Sequence, residues 1–292
     1  MKKYFIMFAA IAALMCSCTK DNEFVNPIIN PIINEETTTV KFCFTPYEIT
    51  PMKSIHDVGE FCTKLDVYIK DNTDPSLPIM IFHSTASGTT GGTFGNIYAN
   101  VNTAHNYTIY AVAHRCPDTV TILNNVIIFP SEKMTHSMFY KNTFSPDYNT
   151  NINCEMKRIV GNIKFVIQDT VPTNAVNMRF VVDSTYTKWH LDNYPLDRAS
   201  KTVVFNNFNR TNDNTAYFNL YCMTASDSVT TYINLTAIAT TANDSVFDEH
   251  ILYNIPVRNG YQTECKGTFF RGFSMGTSFT IGDWNTWDEY NY

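Results

Sequence analysis

The feature that most limits what this 292-residue chain can fold into is alternation. From Thr38 onward apolar side chains recur at every second position. Val40, Phe42 and Phe44 are interleaved with Lys41 and Cys43, and Leu65, Val67 and Ile69 with Asp66, Tyr68 and Lys70. Successive side chains of an extended strand point to opposite faces, so this period buries one face and wets the other. No helix-period stretch of convincing length competes with it. The same reading gives strands at residues 79–83, 95–101, 107–113 and 120–128. The pattern then restarts with Ile159, Gly161, Ile163, Phe165 and Ile167 on one face, followed by Met178, Phe180 and Val182. Ala216, Phe218, Leu220 and Cys222 form a further face, as do Ile233, Leu235, Ala237 and Ala239, and the last strands fall at 250–257, 261–270 and 278–284. Turn-rich segments separate these runs at the intervals of a sandwich. The chain reads as all-β, with two tandem antiparallel β-sandwich domains over residues 37–155 and 156–292. The seam lies near 145–158, where Ser145-Pro146-Asp147-Tyr148-Asn149 breaks the pattern. Short helices are expected only in connections, around residues 131–138.

The first residues speak of address. Lys2 and Lys3 precede a 12-residue apolar run over residues 4–15 that ends in Met15-Cys16-Ser17-Cys18. As a helix such a run rises ~18 Å, too short for a hydrocarbon core of ~30 Å, so residues 1–17 read as a signal peptide. Its end resembles a bacterial lipobox, in which a small residue precedes an acylated cysteine. Ser17 before Cys18 fits and Met15 before Cys16 is too bulky, so the resemblance implies lipidation at Cys18. Acyl chains contribute about 0.8 kcal/mol per buried CH₂, and several together tether a protein to a membrane. Residues 18–36 then read as the lipidated N-terminus and an extended tether. They contain Lys20-Asp21-Asn22-Glu23 and a duplication, Asn26-Pro27-Ile28-Ile29 and Asn30-Pro31-Ile32-Ile33, whose prolines exclude a regular helix. The acidic cluster resembles the surface-export signal of Bacteroidota lipoproteins, which implies an outer-membrane, surface-exposed location; the same residues also suit a plain polar linker.

A formal net charge of −6 argues against nucleic acid as a partner, because phosphate neutralisation needs a basic face. The sequence-local catalytic signatures H-E-x-x-H and G-K-[ST] are missing from the sequence. His56, His83, His105, His114, His136, His190 and His250 are dispersed, none at ligand spacing from another. The run Gly88-Thr89-Thr90-Gly91-Gly92-Thr93-Phe94-Gly95 lacks a phosphate-binding lysine and suits a hairpin. Asp183, Asp192 and Asp197 do not form a calcium loop. The expectation is a non-enzymatic protein with no catalytic residue, metal site or cofactor. Six cysteines come after Cys18, namely Cys43, Cys62, Cys116, Cys154, Cys222 and Cys265. An oxidising compartment allows disulfides among them, while Cys222, in register with Phe218 and Leu220, suits a buried free thiol.

Asp-Ser/Thr before a small or aliphatic residue recurs at Asp118-Thr119-Val120, Asp169-Thr170-Val171, Asp183-Ser184-Thr185, Asp227-Ser228-Val229 and Asp244-Ser245-Val246. These resemble the O-glycosylation sequon of Bacteroidota surface proteins, with Thr119, Thr170, Ser184, Ser228 and Ser245 as acceptors. They are also ordinary turn chemistry at strand ends.

The leader through Cys18, the run Lys157-Arg158-Ile159-Val160-Gly161-Asn162-Ile163-Lys164-Phe165, and the end from Ile255-Pro256-Val257-Arg258-Asn259-Gly260-Tyr261-Gln262-Thr263 through Gly267 to Trp284 together resemble the fimbrial anchor and fimbrillin-like lipoprotein adhesins of Bacteroidota, components of type V pili. The resemblance spans essentially the mature chain on loose strand patterns. It implies transthyretin-like sandwiches and a pilus component joined to pilin subunits by β-strand exchange. Polymerising members of that family are freed for exchange by cleavage after an arginine near the N-terminus, whereas the first arginine here is Arg115. This departure favours a lipid-retained anchor or accessory subunit over a stalk subunit. The alternative is a surface glycan-binding lipoprotein, with Trp189, Tyr194, Trp284 and Trp287 stacking on sugar rings.

Overall fold

The computed structural model describes residues 36–47, 58–86, 94–129, 134–147, 150–208, 215–226, 228–271 and 280–283. Glu35–Tyr292 form one compact unit. The chain runs through β1 (Thr37–Pro46), a single helical turn α1 (Val58–Phe61), β2 (Lys64–Asp71), β3 (Met80–Thr85), β4 (Asn96–Asn102) and β5 (Tyr107–His114). It continues through β6 (Thr121–Leu123), β7 (Val126–Ile128), β8 (Ser137–Phe144), β9 (Asn151–Arg158) and β10 (Val160–Ile167). The remaining strands are β11 (Asn177–His190), β12 (Tyr194–Asn206), β13 (Ala216–Met223), β14 (Thr231–Thr240), β15 (Val246–Val257), β16 (Tyr261–Gly267) and β17 (Thr280–Asp283).

Seven strands form the first lobe in the order β3-β2-β5-β8-β9-β1-β4. Its continuity between β8 and β9 rests on two pairs, Met138 with Arg158 and Phe139 with Lys157, so the lobe is in effect two layers hinged at one corner. Val40, Phe42 and Phe44 from β1 meet Leu65, Val67 and Ile69 from β2 between those layers. The alternation of β1 accounts for this: Val40, Phe42 and Phe44 are buried while Lys41, Cys43 and Thr45 are half-buried. Fully burying a side chain of this size contributes about 1.5–3 kcal/mol.

The second lobe repeats the plan in the order β15-β14-β11-β13-β10-β16-β17, with β12 beside β11. One pair, Tyr186 with Met223, joins its layers. Phe165 of β10 meets Phe180 of β11 edge-to-face at 5.0 Å between centroids, within a core that includes Ile163, Met178, Phe218 and Leu235.

The chain is all-β with two sheets, as its period predicts, but purely antiparallel pairing needs correction. In each lobe the opening strand lies parallel to the closing strand, β1 to β9 and β10 to β16. Strands joined through a whole lobe are free to run parallel, whereas hairpin neighbours are not. Three further expectations change. Residues 120–128 form two short strands, because Asn124 and Asn125 both take positive φ, 51° and 63°, and turn the chain into a two-residue hairpin. No helix occurs in the described part of 131–138; Ser137 and Met138 already belong to β8. The break read at residues 145–149 does separate β8 from β9, yet β9 still pairs with β1, and the chain changes sheets only at Ile159.

The β6–β7 hairpin, though early in sequence, docks on the second sheet, where Val126, Ile127 and Ile128 pair with His190, Trp189 and Lys188. Beneath it a third core cluster joins the lobes through Val112, Ile127, Phe139, Val160, Trp189 and Met223.

Candidate functional site

A half-used strand edge in the first lobe is the feature best suited to a partner. Lys41 donates to the Thr150 carbonyl at 3.0 Å and Tyr47 to the Met156 carbonyl at 2.8 Å, so even-numbered residues of β9 turn their backbone groups toward β1. The alternate residues, Asn151, Asn153 and Glu155, therefore turn theirs to the other side. There, among the described residues, β9 is paired only at its last two residues, with β8. Where β8 and β9 diverge, a cleft of about 460 Å³ opens between Tyr140 and Lys141 on one wall and Asn153, Glu155 and Lys157 on the other. Side chains obey the same parity: Cys154 and Met156 are fully buried, while Asn153 and Glu155 are exposed. An extended segment laid along β9 would satisfy the outward backbone groups and cover the cleft.

The second lobe shows that edge in its occupied form. Its closing strand β16 is parallel to β10 on one side and antiparallel to β17 on the other, with Tyr261, Gln262, Thr263 and Glu264 opposite Asp283, Gly282, Ile281 and Thr280. Asp169, 8% exposed, holds the segment after β16 in place. Its carboxylate accepts the backbone N–H groups of Phe269, Phe270 and Arg271 at 2.8, 2.7 and 2.8 Å.

The residues singled out from sequence are scattered. Cys18 lies outside the described residues. Thr119, Thr170, Ser228 and Ser245 are exposed at strand ends or in turns, and Ser184 is half-buried at a bulge of β11 with φ 58°. Ser184 donates to Asp183 at 3.2 Å, and its carbonyl accepts from Arg198. The five acceptors share no face, and Asp169 beside Thr170 has the structural task just described. Among the described residues Cys43, Cys62, Cys116, Cys154, Cys222 and Cys265 form no disulfide. Burial pushes the thiols of Cys154, Cys222 and Cys265 up to about 12, which leaves them inert. Trp189 does not offer a sugar platform: it is 3% exposed, inside the core between the lobes. Tyr194 stacks on His190 at 4.4 Å, and Trp284 and Trp287 lie outside the described residues.

Sequence reasoning passes over a buried carboxylate. Asp66 on β2, 1% exposed, receives His83 Nδ1 at 2.6 Å, His114 Nε2 at 2.8 Å and the Val120 N–H at 3.1 Å. Because His114 Nδ1 accepts the Cys116 N–H at 3.1 Å, the ring carries its proton on Nε2 and donates to Asp66. Burial pushes the Asp66 carboxyl up, but these donors outweigh it and hold it below its ordinary value. The arrangement ties β2 and β5 to the entry of the β6–β7 hairpin. Its members are dispersed over more than 50 residues, and only the polar Asp66 among apolar neighbours in β2 signals it.

Two β lobes sealed together by a hairpin make this an all-β, two-lobed protein, a fold with solved counterparts. A candidate polysaccharide-binding protein of Bacteroides thetaiotaomicron superposes with a TM-score of 0.51 at 12% identity, over 79% of this chain and 92% of that one. A candidate adhesin of the same species gives 0.50 at 12% identity over 85% and 96%. The fimbrial anchor protein Mfa2 of Porphyromonas gingivalis gives 0.47 at 9% identity over 85% and 98%. No curated protein matches by sequence. The chain belongs to the family of fimbrillin-A associated anchor proteins Mfa1 and Mfa2, whose family model matches residues 131–290. Membership assigns it a fimbrial accessory role.

Proposed function

We propose that this protein is a non-enzymatic anchor or accessory subunit of a type V pilus, tethered to the outer membrane through an acylated Cys18 and joined to a fimbrial subunit by β-strand exchange in support of adhesion. The observation that carries the strand-exchange step is the contrast between β9 and β16. The two strands occupy the same place in their lobes, yet β16 has β17 on its outer edge and β9 has a cleft. A donated strand on β9 would give the first lobe the arrangement that the second already has. The lipid reading rests on Ser17-Cys18 after the apolar run, and O-glycosylation at the exposed Thr119, Thr170, Ser228 and Ser245 fits a surface location.

The test is mass spectrometry of the protein isolated natively from its own outer membrane, combined with a cysteine placed at Glu155. An acylated Cys18, a stoichiometric fimbrial subunit and a crosslink from position 155 to that subunit are expected. A monomer that co-purifies with no pilin would sink the proposal. A pilin that crosslinks only elsewhere would remove β9 from it.

A further inference from the structure

If β9 captures a strand, the side chains around its edge decide which strand fits. Aromatic contacts cross the first core there in two rungs. Phe44 of β1, paired with Cys154 of β9, meets Tyr140 of β8 edge-to-face at 6.3 Å between ring centroids. Phe42, paired with Ile152, meets Phe144 in the same way at 5.2 Å. Residues directly opposite on neighbouring strands share one face of the sheet. Tyr140, Asn142 and Phe144 lie opposite Ala111, Ile109 and Tyr107, all of them core residues, so these three positions of β8 are turned toward the core.

The two rungs are closed to different degrees. Around Cys154 the core is sealed. Cys154 is fully buried, and burial, followed by the Cys154 thiol beside it, pushes the Tyr140 hydroxyl up to about 12. That hydroxyl accepts from Asn142 Nδ2 at 3.1 Å, which holds the ring in the wall of the cleft. Around Ile152 the core is open. Ile152 and Phe144 pack on it yet stay half-buried, and Asn142 is exposed although its opposite residue, Ile109, is fully buried. A core-facing asparagine in water beside two half-covered apolar side chains marks a place where the sandwich lacks a covering group.

A strand on the outer edge of β9 would lie about 4.8 Å from it, with the side chains opposite Ile152 and Cys154 turned into the core beside them. Opposite Cys154 the Tyr140 ring already fills the space, and a bulky side chain there would overpack it. Opposite Ile152 a bulky apolar side chain would cover Ile152 and Phe144 and remove their surface from water. Resting on the strand-exchange reading, we infer that the strand captured by β9 carries a small side chain opposite Cys154 and a large apolar one at the next inward position, opposite Ile152, and that Tyr140 sets this difference. Tyr140 is thus the residue that determines which strand is accepted.

Fluorescence anisotropy of the full chain with short, labelled, acetylated peptides tests this. Each peptide alternates Thr with an Ala-Leu, Leu-Ala, Leu-Leu or Ala-Ala pair, so that both strand directions are sampled. The wild type should bind the better of the two mixed peptides about tenfold more tightly than Leu-Leu. Ala-Ala should bind several-fold more weakly than that mixed peptide, because it leaves Ile152 and Phe144 uncovered. Tyr140→Ala should take Leu-Leu as tightly as the mixed peptide, a gain that a misfolded variant cannot give, and Tyr140→Phe, which keeps the ring, should discriminate as the wild type does. Glu155→Pro should abolish binding of every peptide, which assigns the binding to β9. Equal binding of Leu-Leu and the mixed peptides by the wild type, unchanged discrimination in Tyr140→Ala, binding that survives Glu155→Pro, or no binding of any peptide would overturn the inference. The crosslink from position 155 tells its failure from that of the assembly reading. A crosslinked fimbrial subunit beside peptides that Tyr140 does not sort would overturn the side-chain preference and keep strand exchange. Sorted peptides without a crosslinked subunit would support the preference and overturn the pilin as the source of the strand.

Discussion

The first and second lobes share the arrangement around their opening strand and differ at the outer edge of the strand parallel to it. In both, the opening strand sits between an antiparallel neighbour and a parallel closing strand, β4-β1-β9 and β13-β10-β16. The second lobe continues to β17, whereas the first ends at Asn151, Asn153 and Glu155 beside a cleft. An edge of unpaired backbone is a liability in a protein that must stay monomeric and a resource in one that must capture a strand. The same core pattern thus supports two kinds of edge. After its closing strand the second lobe has chain to spare for β17, whereas β9 passes at once into β10 of the other lobe. The family match covers β8, β9 and the whole second lobe, so it includes both edges under comparison.

The most severe way to break the comparison is to empty one core at a time. Phe180→Ala in the second lobe and Phe42→Ala in the first should each cost about 3–5 kcal/mol, read by urea unfolding. If the cluster around Ile127 and Trp189 couples the lobes, each variant shifts a single transition; two transitions would mean that the lobes unfold separately. Asp66→Asn comes next, at about 2–3 kcal/mol, because it removes the charge from three hydrogen bonds, two of them buried. The pH dependence has a definite sign. The folded carboxyl is held below its ordinary 3.8, so its contribution is present above 3.8 and lost as pH falls through the folded value. Thermal unfolding from pH 6 to pH 2 should show wild type and Asp66→Asn converging at the acid end.

Ending the chain at Arg271 removes β17 and should make the second lobe resemble the first. A loss of about 2 kcal/mol and a concentration-dependent increase in size on gel filtration are expected. Glu155→Pro sharpens the contrast from the other side. It deletes an N–H that points away from β1, a position where an edge strand tolerates proline, so stability should change by no more than about 1 kcal/mol while capture of a fimbrial subunit in a pull-down is lost. The smallest effect belongs to Lys141→Ala, which removes a surface contact of 2.7 Å to Asp192 between the lobes. Its unfolding midpoint should coincide with that of wild type.

How much of this is legible in the sequence depends on how each strand meets water. β1 alternates because one face is buried, as do Ile163, Phe165 and Ile167 in β10 and Ile233, Leu235 and Ala237 in β14, and their period shows. β12 escapes a reading by period since only Val203 and Phe205 pack against the core and both stay partly exposed, and among the described residues it pairs only with β11. β8 begins with three buried residues in succession, Ser137, Met138 and Phe139, which hides its period. The strand that matters most for the proposed assembly, β9, does alternate: Ile152, Cys154 and Met156 between Asn151, Asn153 and Glu155. It reads as part of a break because Pro146 and its polar neighbours precede it and because cysteine and methionine are weak signals of a strand. Nothing local indicates that β9 lies parallel to β1, since their partnership spans more than a hundred residues.

The parallel alliance of β1 with β9 also governs how the molecule responds to tension. A pull on Thr37 along the axis of β1 would act on a strand whose backbone is bonded to β4 on one side and β9 on the other. To move, β1 must slide past both neighbours, so the rungs are loaded in shear together and cannot open singly like a zipper. Phe42 and Phe44 would have to be dragged through the core in the same step. The entry strand thus acts as a mechanical clamp against a load applied along β1.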